Sequence, residues 1–349
     1  MLRPLLILSC YIFASVASAQ TSTETTLDSN TLDYYLMQAF LAADSQQRIP
    51  LNHIGIQGQQ QEAGFLISAV LEGYPAHAAG LNRGDIITSI DGEVFHSVNS
   101  FNIERDSRGA FIPVTSEHQL TFQRGTSTSE ISLLPVFENL FDSYRSATSN
   151  SVLEFSAGNK TIGYLRFWAL SRGTSDMINY QELIASLDHC DGIIFDLRNS
   201  FGYLDSQHLD LVFNDTNNYF IVSEAENQNF NFATLSPNLD FDNYRKPIAL
   251  LLNEDTRGGA ELFAYQLDKL QRVVSIGSDT PGEIGRFELR TDINSALIEY
   301  QAADEVLIDG SLFEGIGIEP ELSVPFPYES TTRGDPQYDA AVNALLGII

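Results

Sequence analysis

Few residues of this sequence have both the type and the spacing that chemistry needs. The six histidines are scattered and include no His-x-x-x-His pair, so no metal-ligand spacing is visible and neither a metal nor a cofactor is expected. Cys190 follows a helical pattern and precedes an apolar strand, which is typical of a buried structural thiol. Ser200 and Thr256 carry hydroxyls in loops, but a hydroxyl attacks a carbonyl only when a base is held beside it.

The elements that must position these loops follow two different patterns. From 51 to 136, short apolar runs are punctuated by glycines, which predicts a small, mainly β domain. From 151 onwards, continuous apolar runs alternate with helical patterns. This alternation predicts an α/β core over 151–349 with a mostly parallel sheet covered on both faces. We expect strands at 162–167, 192–197, 247–253 and 273–277, and helices at 178–189 and 260–270.

The remaining segments lie before and between these two domains. Residues 1–19 combine an early arginine, an apolar run and small residues before Gln20, which is typical of a cleaved signal peptide. The alternatives are a transmembrane anchor, for which the run is short, and a lipidated Cys10. We therefore expect export to the periplasm or the medium. Residues 20–50 predict an N-terminal helical segment with its helix at 31–43, and 137–150 resembles a linker.

The charge balance excludes several classes of partner. Aspartate and glutamate number 46 against 19 lysines and arginines, which gives a formal net charge of −27. Nucleic-acid binding relies on clustered cations, and so does attraction to an anionic membrane surface. We expect no nucleic acid partner and no membrane insertion once the signal is cleaved.

The segment at 51–136 resembles a bacterial-type PDZ domain. Its marks are His53-Ile-Gly-Ile56, Glu72-Gly-Tyr-Pro-Ala76, Ala79-Gly-Leu-Asn-Arg-Gly-Asp-Ile-Ile87 and Ile90-Asp-Gly92. In such domains consecutive backbone N–H groups receive a peptide's terminal carboxylate while the peptide adds a strand to the sheet. The resemblance implies that C-terminal tails of peptides or proteins are the partners. The contacts would come from Ile54, Gly55 and Ile56, with Phe101 on the following helix lining the pocket.

The second half resembles the C-terminal processing, or tail-specific, serine peptidases over roughly 150–346. The resemblance rests on the runs Ile162–Phe167, Asp191–Asn199, Leu252–Glu261, Gly277–Gly282, Asp309–Glu321 and Gly334–Val342. The order of a PDZ domain followed by a peptidase core is also that of the family. The resemblance implies the family's layered core, and it implies serine-type hydrolysis of peptide bonds if the catalytic groups are present.

The catalytic positions of the family are substituted in this chain. The family places its serine three residues before the glutamate that matches Glu261, and that position is Gly258. Its lysine base would stand 25 residues later, at Glu283. The paired glycine after the Asp-Leu-Arg motif, which helps to stabilise the oxyanion, is Gly202 followed by Tyr203. The Tyr203 side chain is expected to crowd the oxyanion hole while its backbone N–H remains able to donate, and Gly259 completes the oxyanion region.

Other residues are weak substitutes for the missing groups. Thr256 precedes the turn apex by two residues, and Ser200 lies beside Gly202 but is more typical of a turn residue bonded to its own backbone. A branch of the family uses a histidine base, for which His189 and His208 are the nearest candidates, although both suit surface or helix-end positions. Arg198 is expected to form a structural ion pair.

Three functions remain open from the sequence. The first is an exported PDZ-containing relative that binds C-terminal tails and has lost or impaired proteolysis. The second is an active serine endopeptidase with a rearranged site that recruits Thr256 or Ser200. The third is a binding protein whose acidic surface suits a basic partner.

Overall fold

The computed structural model describes residues 26–204, 206–213, 221–224, 228–231, 244–291, 296–328 and 334–349. The predicted signal peptide therefore lies outside the described residues. The described chain begins with strand β1 (Thr26–Asp28), helix α1 (Leu32–Leu41) and a short 3₁₀ turn (Ser45–Gln47). Helix α1 falls within the predicted 31–43 and is capped by Thr31, whose side chain accepts a hydrogen bond from the Tyr34 N–H.

The mainly β domain is an antiparallel sheet with the strand order β3-β4-β5-β7-β8, and β6 pairs with β5. Its elements are β2 (Leu51–His53), β3 (Ile56–Gln61), β4 (Gly64–Val70), α2 (Pro75–Ala78), β5 (Ile86–Ile90), β6 (Glu93–Val94), β7 (His118–Arg124) and β8 (Ser127–Leu133). Residues 97–101 form turns, so the prediction that a helix carries Phe101 is wrong. Asn102 explains the turns, because its side-chain amide donates to the carbonyls of Asn52 and Val98 and holds the segment against β2.

Residues 137–150, predicted as a linker, are part of the packed structure. Strand β9 (Val136–Glu138) pairs antiparallel with β2, and helix α3 (Leu140–Asn150) follows directly. The helix is capped by the Asn139 side chain. It buries an apolar face of Leu140, Phe141, Tyr144 and Ala147, and burial of that face removes the freedom that a linker needs.

The α/β core contains a six-stranded sheet of order β10-β11-β13-β17-β18-β23, parallel except for the β10–β11 pair. This confirms the predicted fold class. Up to the last long sheet strand, the elements are β10 (Leu153–Ala157), β11 (Lys160–Arg166), β12 (Ala169–Leu170), α4 (Thr174–Ser186), β13 (Gly192–Asp196), β14 (Phe201–Gly202), α5 (Ser206–Asp210), β15 (Ile221–Glu224), β16 (Gln228–Asn231), β17 (Ile248–Leu252), α6 (Gly259–Leu267) and β18 (Val273–Gly277).

The end of the chain covers the second face of the core sheet. It consists of β19 (Arg286–Thr291), β20 (Ala296–Gln301), β21 (Val306–Ile308), β22 (Ser311–Leu312), β23 (Leu322–Ser323) and α7 (Pro336–Ile348). Helices α4 and α6 pack on one face of the sheet, and α7 covers the other. Strand β1 pairs with β20, which brings α1 against the β19–β20 hairpin. No helix of the described residues is long and apolar enough to span a bilayer.

Candidate functional site

The turn between β17 and α6, residues 253–258, is the centre of the candidate site, and we call it the elbow. Strand β17 is apolar and fully buried, and helix α6 begins one residue after Gly258. Gly258 itself has φ +62° and ψ −130°, a conformation that glycine adopts freely and side-chain-bearing residues rarely do. A Cβ at this position would lie 3.1 Å from the Gly202 carbonyl oxygen. The sharp strand-to-helix turn expected from the family is therefore present, with no side chain at its apex.

The predicted oxyanion region lies against the elbow. A Cβ at Gly259 would come within 2.2 Å of the Leu204 backbone nitrogen, and one at Gly202 within 2.1 Å of the Leu170 carbonyl oxygen. Both glycines are thus required for close backbone packing. The expectation for Tyr203 is wrong, because its N–H donates to the Leu170 carbonyl at 2.9 Å as part of the β12–β14 pairing. Its ring packs on Phe40 and Phe201 instead.

A cavity of about 330 Å³ opens beside Gly258. Its walls are mainly apolar, with two arginines, and come from α1, the segment after β12, β14, α6 and the segment that leads into β19. They comprise Leu41, Arg172, Phe201, Gly202, Tyr203, Leu204, Gly258, Gly259, Leu262, Ile284, Gly285, Arg286 and Phe287. The cavity is large enough for a peptide side chain, so the space for a substrate remains where the nucleophile is missing.

Glu283 reaches the elbow although it is 25 residues away in sequence. Its carbonyl oxygen accepts a hydrogen bond from the Gly258 N–H at 2.9 Å. Its carboxylate lies 4.0 Å from the Arg257 guanidinium, an arginine that the sequence did not single out. Burial raises the pKa of Glu283, and Arg257 opposes that shift. The position of the family's lysine therefore carries an acid paired with a neighbouring cation.

Glu261 fastens the loop that carries Glu283 to helix α6. It is fully buried, and its Oε1 accepts hydrogen bonds from the Gly282 N–H at 2.6 Å and from the Thr280 hydroxyl. Its Oε2 is buried and has no hydrogen-bond partner among the described residues. Burial raises the pKa of Glu261 to about 7. The sequence marks this residue only as part of a motif, and its burial, which causes the raised pKa, was not evident from the sequence.

The two candidate hydroxyls lie near the elbow in different states. Thr256 Oγ1 donates to the Leu197 carbonyl at 2.9 Å and accepts from the Asn253 N–H at 3.1 Å, so it braces the turn. Ser200 Oγ is buried without a hydrogen-bond partner among the described residues, so the predicted bond to its own backbone is wrong and no base is bonded to it. The Ser200 carbonyl accepts from the Arg257 N–H at 2.9 Å.

The candidate histidines have other partners. His208 is fully buried, and its Nε2 lies 2.9 Å from the Ser171 carbonyl oxygen. His189 is exposed and its Nε2 donates to Glu154 at 2.6 Å. The ion-pair prediction for Arg198 is confirmed, since its guanidinium bonds both oxygens of Asp196, at 2.9 and 2.6 Å.

The predicted tail-binding residues Ile54, Gly55, Ile56 and Phe101 are buried together in the small domain; the three apolar ones belong to its core cluster. Gly55 has φ +78°, and its Cβ would lie 2.3 Å from the Tyr74 Cβ. The Gly55 N–H donates to His53 Nδ1 at 3.1 Å. A carboxylate that uses this N–H must therefore displace the imidazole.

His53 is a feature that the sequence did not single out. Burial lowers its pKa to about 3, so the ring is neutral near pH 7. Because Nδ1 accepts from Gly55, the ring proton is on Nε2, which lies 3.0 Å from Ser143 Oγ on α3. The Ser143 hydroxyl in turn donates to Glu138 at 2.7 Å. The loop is thereby connected to the segment that leads into the core.

A larger cavity of about 800 Å³ lies between the small domain and the core. It is lined on one side by β4 and the residues before β5, and on the other by the ends of β11, β13 and β17. The lining includes the cations Arg83, Arg124, Arg166 and Arg198 and the acids Asp85, Glu254 and Asp335. Asn199 joins the two sides, since its carbonyl accepts from Gln57 at 3.2 Å. The cleft has the volume of a ligand site.

Comparison with known proteins agrees with this architecture. Residues 161–324 match the model of Peptidase family S41, and residues 45–111 match that of the PDZ domain. A probable CtpA-like serine protease of Staphylococcus aureus (strain bovine RF122 / ET3-1) is 24% identical over 284 residues, covering 79% of this chain and 53% of that protein. One from Staphylococcus epidermidis is 23% identical over 287 residues, covering 79% and 54%. The chain spans about half the length of the curated relatives it matches.

A solved structure extends the match to nearly the whole fold. A putative S41 protease from Bacteroides fragilis NCTC 9343 superposes with a TM-score of 0.56 at 17% identity, covering 96% of this chain and 88% of that one. At this identity the likeness concerns the fold alone. Taken with the matches to both domain models, it agrees with the resemblance of this chain to the PDZ-containing C-terminal processing (tail-specific) serine peptidases of family S41.

Proposed function

We propose that this chain is a tail-binding protein that has lost peptide-bond hydrolysis. The observation that carries the proposal is the glycine at the apex of the elbow. Acyl transfer requires a nucleophilic atom on the residue that faces the scissile carbonyl, and Gly258 has none.

The surroundings of the elbow also oppose the reaction. A tetrahedral intermediate develops negative charge on an oxygen, and enzymes stabilise that charge with donors and cations. Glu283 is a carboxylate at the position of the family's base, and its cation, Arg257, is already engaged by it. Tyr203 has given its N–H to Leu170. Loss of nucleophile and base costs several powers of ten in rate, so these departures together support loss of function.

The neighbouring hydroxyls do not supply a replacement. Thr256 Oγ1 is held by Leu197 and Asn253, and freeing it would break the bonds that brace the turn. Ser200 Oγ has no bonded base among the described residues, and an unassisted serine hydroxyl is a weak nucleophile. The alternative, an active serine peptidase with a rearranged site, depends on Ser200.

Binding of a C-terminal tail is supported by the small domain. Strand β3 is at the edge of its sheet and directly follows the His53–Ile56 loop, so a peptide that pairs with β3 would bring its carboxylate towards the N–H groups of this loop. The inter-domain cavity lies on the β4 side of the same domain and offers room for further residues of a bound chain.

Hydrolysis is tested by restoring the missing groups. Wild-type protein purified to homogeneity should not cleave unstructured peptides with apolar C-termini. Gly258→Ser/Glu283→Lys should gain measurable cleavage, and the matched control Gly258→Ala/Glu283→Lys should not, because it adds the same Cβ without the hydroxyl. Cleavage by wild-type protein that is lost in Ser200→Ala would overturn the proposal in favour of the alternative.

Tail binding is best tested by changing the peptide. Any side chain at Gly55 meets Tyr74, so Gly55→Asp would weaken binding for steric as well as electrostatic reasons. A peptide with a free C-terminus and the same peptide as its C-terminal amide differ only in the carboxylate. We expect calorimetry to show at least ten-fold tighter binding of the free acid. Equal affinities, or tighter binding of a cationic protein that salt releases, would support the third function instead.

Export remains part of the proposal, and its support is the pattern of residues 1–19. N-terminal sequencing of the protein from the expressing cell should begin at Gln20. A mature protein that still begins at Met1 would contradict it.

A further inference from the structure

Three side chains with metal-binding atoms converge in the core domain, between strand β10 and the turn that precedes β13, away from the elbow. They are Glu154 on strand β10, His189, and Cys190, which precedes β13 by two residues. Their donor oxygen, nitrogen and sulfur atoms all lie within 4.8 Å of one another. His189 Nε2 is central, at 2.6 Å from Glu154 Oε2 and 3.9 Å from Cys190 Sγ.

We propose that Glu154, His189 and Cys190 form a binding site for a zinc-type divalent cation, with solvent as the fourth ligand. One thiolate, one imidazole and one carboxylate are all ligands of zinc. Bound as thiolate and carboxylate, the set carries two negative charges, which balance the dication. The site is independent of the proposed tail binding.

The distances allow the cation to enter with small movements. Zinc–sulfur and zinc–nitrogen bonds of about 2.3 and 2.0 Å accommodate a sulfur–nitrogen separation of 3.9 Å with the metal between them. The Glu154–His189 distance must widen from 2.6 Å to about 3.3 Å for tetrahedral angles. Glu154 and His189 are more than half exposed, at 54% and 59%, so they can make this adjustment, whereas Cys190 is fully buried and would bind from beneath them.

The backbone beneath the site is anchored. Lys246 Nζ donates to the Cys190 carbonyl at 2.9 Å and also to the Asp188 carbonyl, which fixes the turn between α4 and β13. Asp191 accepts from the Thr161 N–H at 2.8 Å and fastens the same turn to β11. The pair of adjacent ligands is therefore held in place, and only the Glu154 side chain has to come from a second element.

Metal binding would exchange protons for the cation. The proton that His189 Nε2 donates to Glu154 occupies the place of the metal, and the thiol proton must also leave. Binding as thiolate therefore requires a charge that replaces this proton. A dication is such a charge.

The experiment uses the full chain, stripped of metal with a chelator and titrated with Co²⁺, whose spectrum reports its ligands. We expect one equivalent to bind, with a thiolate charge-transfer band in the near ultraviolet and visible bands of tetrahedral intensity, both abolished by added Zn²⁺. Cys190→Ser should lose the charge-transfer band, and His189→Ala and Glu154→Gln should each weaken binding at least ten-fold. In protein that retains residues 1–19, Cys10→Ser should keep the band, which excludes the other thiol of the sequence.

The matched control is His118, whose Nδ1 lies 2.6 Å from Asp91 in the same kind of pair. No cysteine adjoins that pair in the described residues. His118→Ala should leave the stoichiometry, the affinity and the spectrum unchanged. Absence of saturable Co²⁺ binding to wild-type protein, or a spectrum that His189→Ala and Cys190→Ser leave intact, would overturn the site. Because His189 is exposed, its variant keeps the test decisive even if Cys190→Ser fails to fold.

Discussion

Replacing Gly258 by alanine tests whether the elbow demands glycine for its backbone. The residue has φ +62° and ψ −130°, and its Cβ would meet the Gly202 carbonyl oxygen at 3.1 Å and Phe201 Cε2 at 3.2 Å. Backbone strain of this kind costs about 1–3 kcal/mol, and crowding in a packed region about 1 kcal/mol more. The lower entropy of the unfolded alanine chain returns about 0.4–1 kcal/mol. We expect Gly258→Ala to lower the free energy of unfolding by about 2 kcal/mol.

The hairpin glycine Gly158 provides the control within the same sheet. Its φ is +65°, and no atom lies within 4 Å of the place that a Cβ would take, so Gly158→Ala carries strain without crowding. Urea unfolding followed by circular dichroism should show a loss of about 1 kcal/mol for Gly158→Ala and clearly more for Gly258→Ala. If Gly258→Ala is as stable as the wild type, the elbow relaxes at no cost and the reasoning from its backbone fails.

Three further predictions concern buried charged and titratable groups. The pKa of Glu261 is raised to about 7, so the folded state holds this proton more tightly than the unfolded state does, and the resulting stability is present below the unfolded pKa and is lost as pH rises through 7. Glu261→Gln should therefore reduce the decrease in the free energy of unfolding between these pH values. An unchanged pH dependence of unfolding would refute this prediction. The pKa of His53 is lowered to about 3, which acts in the opposite sense, so stability is lost as pH falls from about 6.5 towards 3. His53→Gln should reduce this loss of stability. If the wild type and the variant lose the same stability on acidification, the argument from burial is contradicted. Arg198→Met should lower the free energy of unfolding by about 3–5 kcal/mol, because it leaves the Asp196 carboxylate buried without the guanidinium that it bonds. In denaturant titrations, Asp196→Asn/Arg198→Met should recover part of that stability. A double variant no more stable than the single one would contradict a stabilising ion pair.

The core sheet was predictable because its strands have a local signature. The run Gly192–Asp196 is apolar up to its final aspartate and buried throughout, as a parallel strand covered on both faces must be. Helix α3 also had a local signal, since Leu140, Phe141, Tyr144 and Ala147 follow helical spacing, but its polar composition concealed it. The pairing of β1 with β20 had no local signal in the sequence, because paired residues such as Leu27 and Ile298 lie at opposite ends of the chain.

The site was predictable in position and less so in detail. Resemblance related Gly258 to Glu283, and the structure joins the two through the bond between the Gly258 N–H and the Glu283 carbonyl. The Tyr203 N–H bonds the Leu170 carbonyl because of how β14 pairs with β12. Glu154 meets His189 and Cys190 because of the path of β10. Such contacts are made between elements that are distant in sequence, so they cannot be predicted from residue spacing or composition.

The elbow separates what a fold requires from what a reaction requires. Gly259 and Gly202 remain glycines because a Cβ would strike the backbone at 2.2 and 2.1 Å, and this packing demand persists whether or not the protein turns over a substrate. Position 283 is less constrained because its side chain is partly exposed, whereas position 258 admits a Cβ only at 3.1 Å from the Gly202 carbonyl oxygen and in a backbone conformation that favours glycine. Glycines and buried strands in the motif therefore bear on ancestry, whereas these two positions bear on catalysis, and both differ from the family's pattern. Restoring cleavage must begin with substitutions at those two sites, and a serine at 258 would carry the same backbone strain as the alanine.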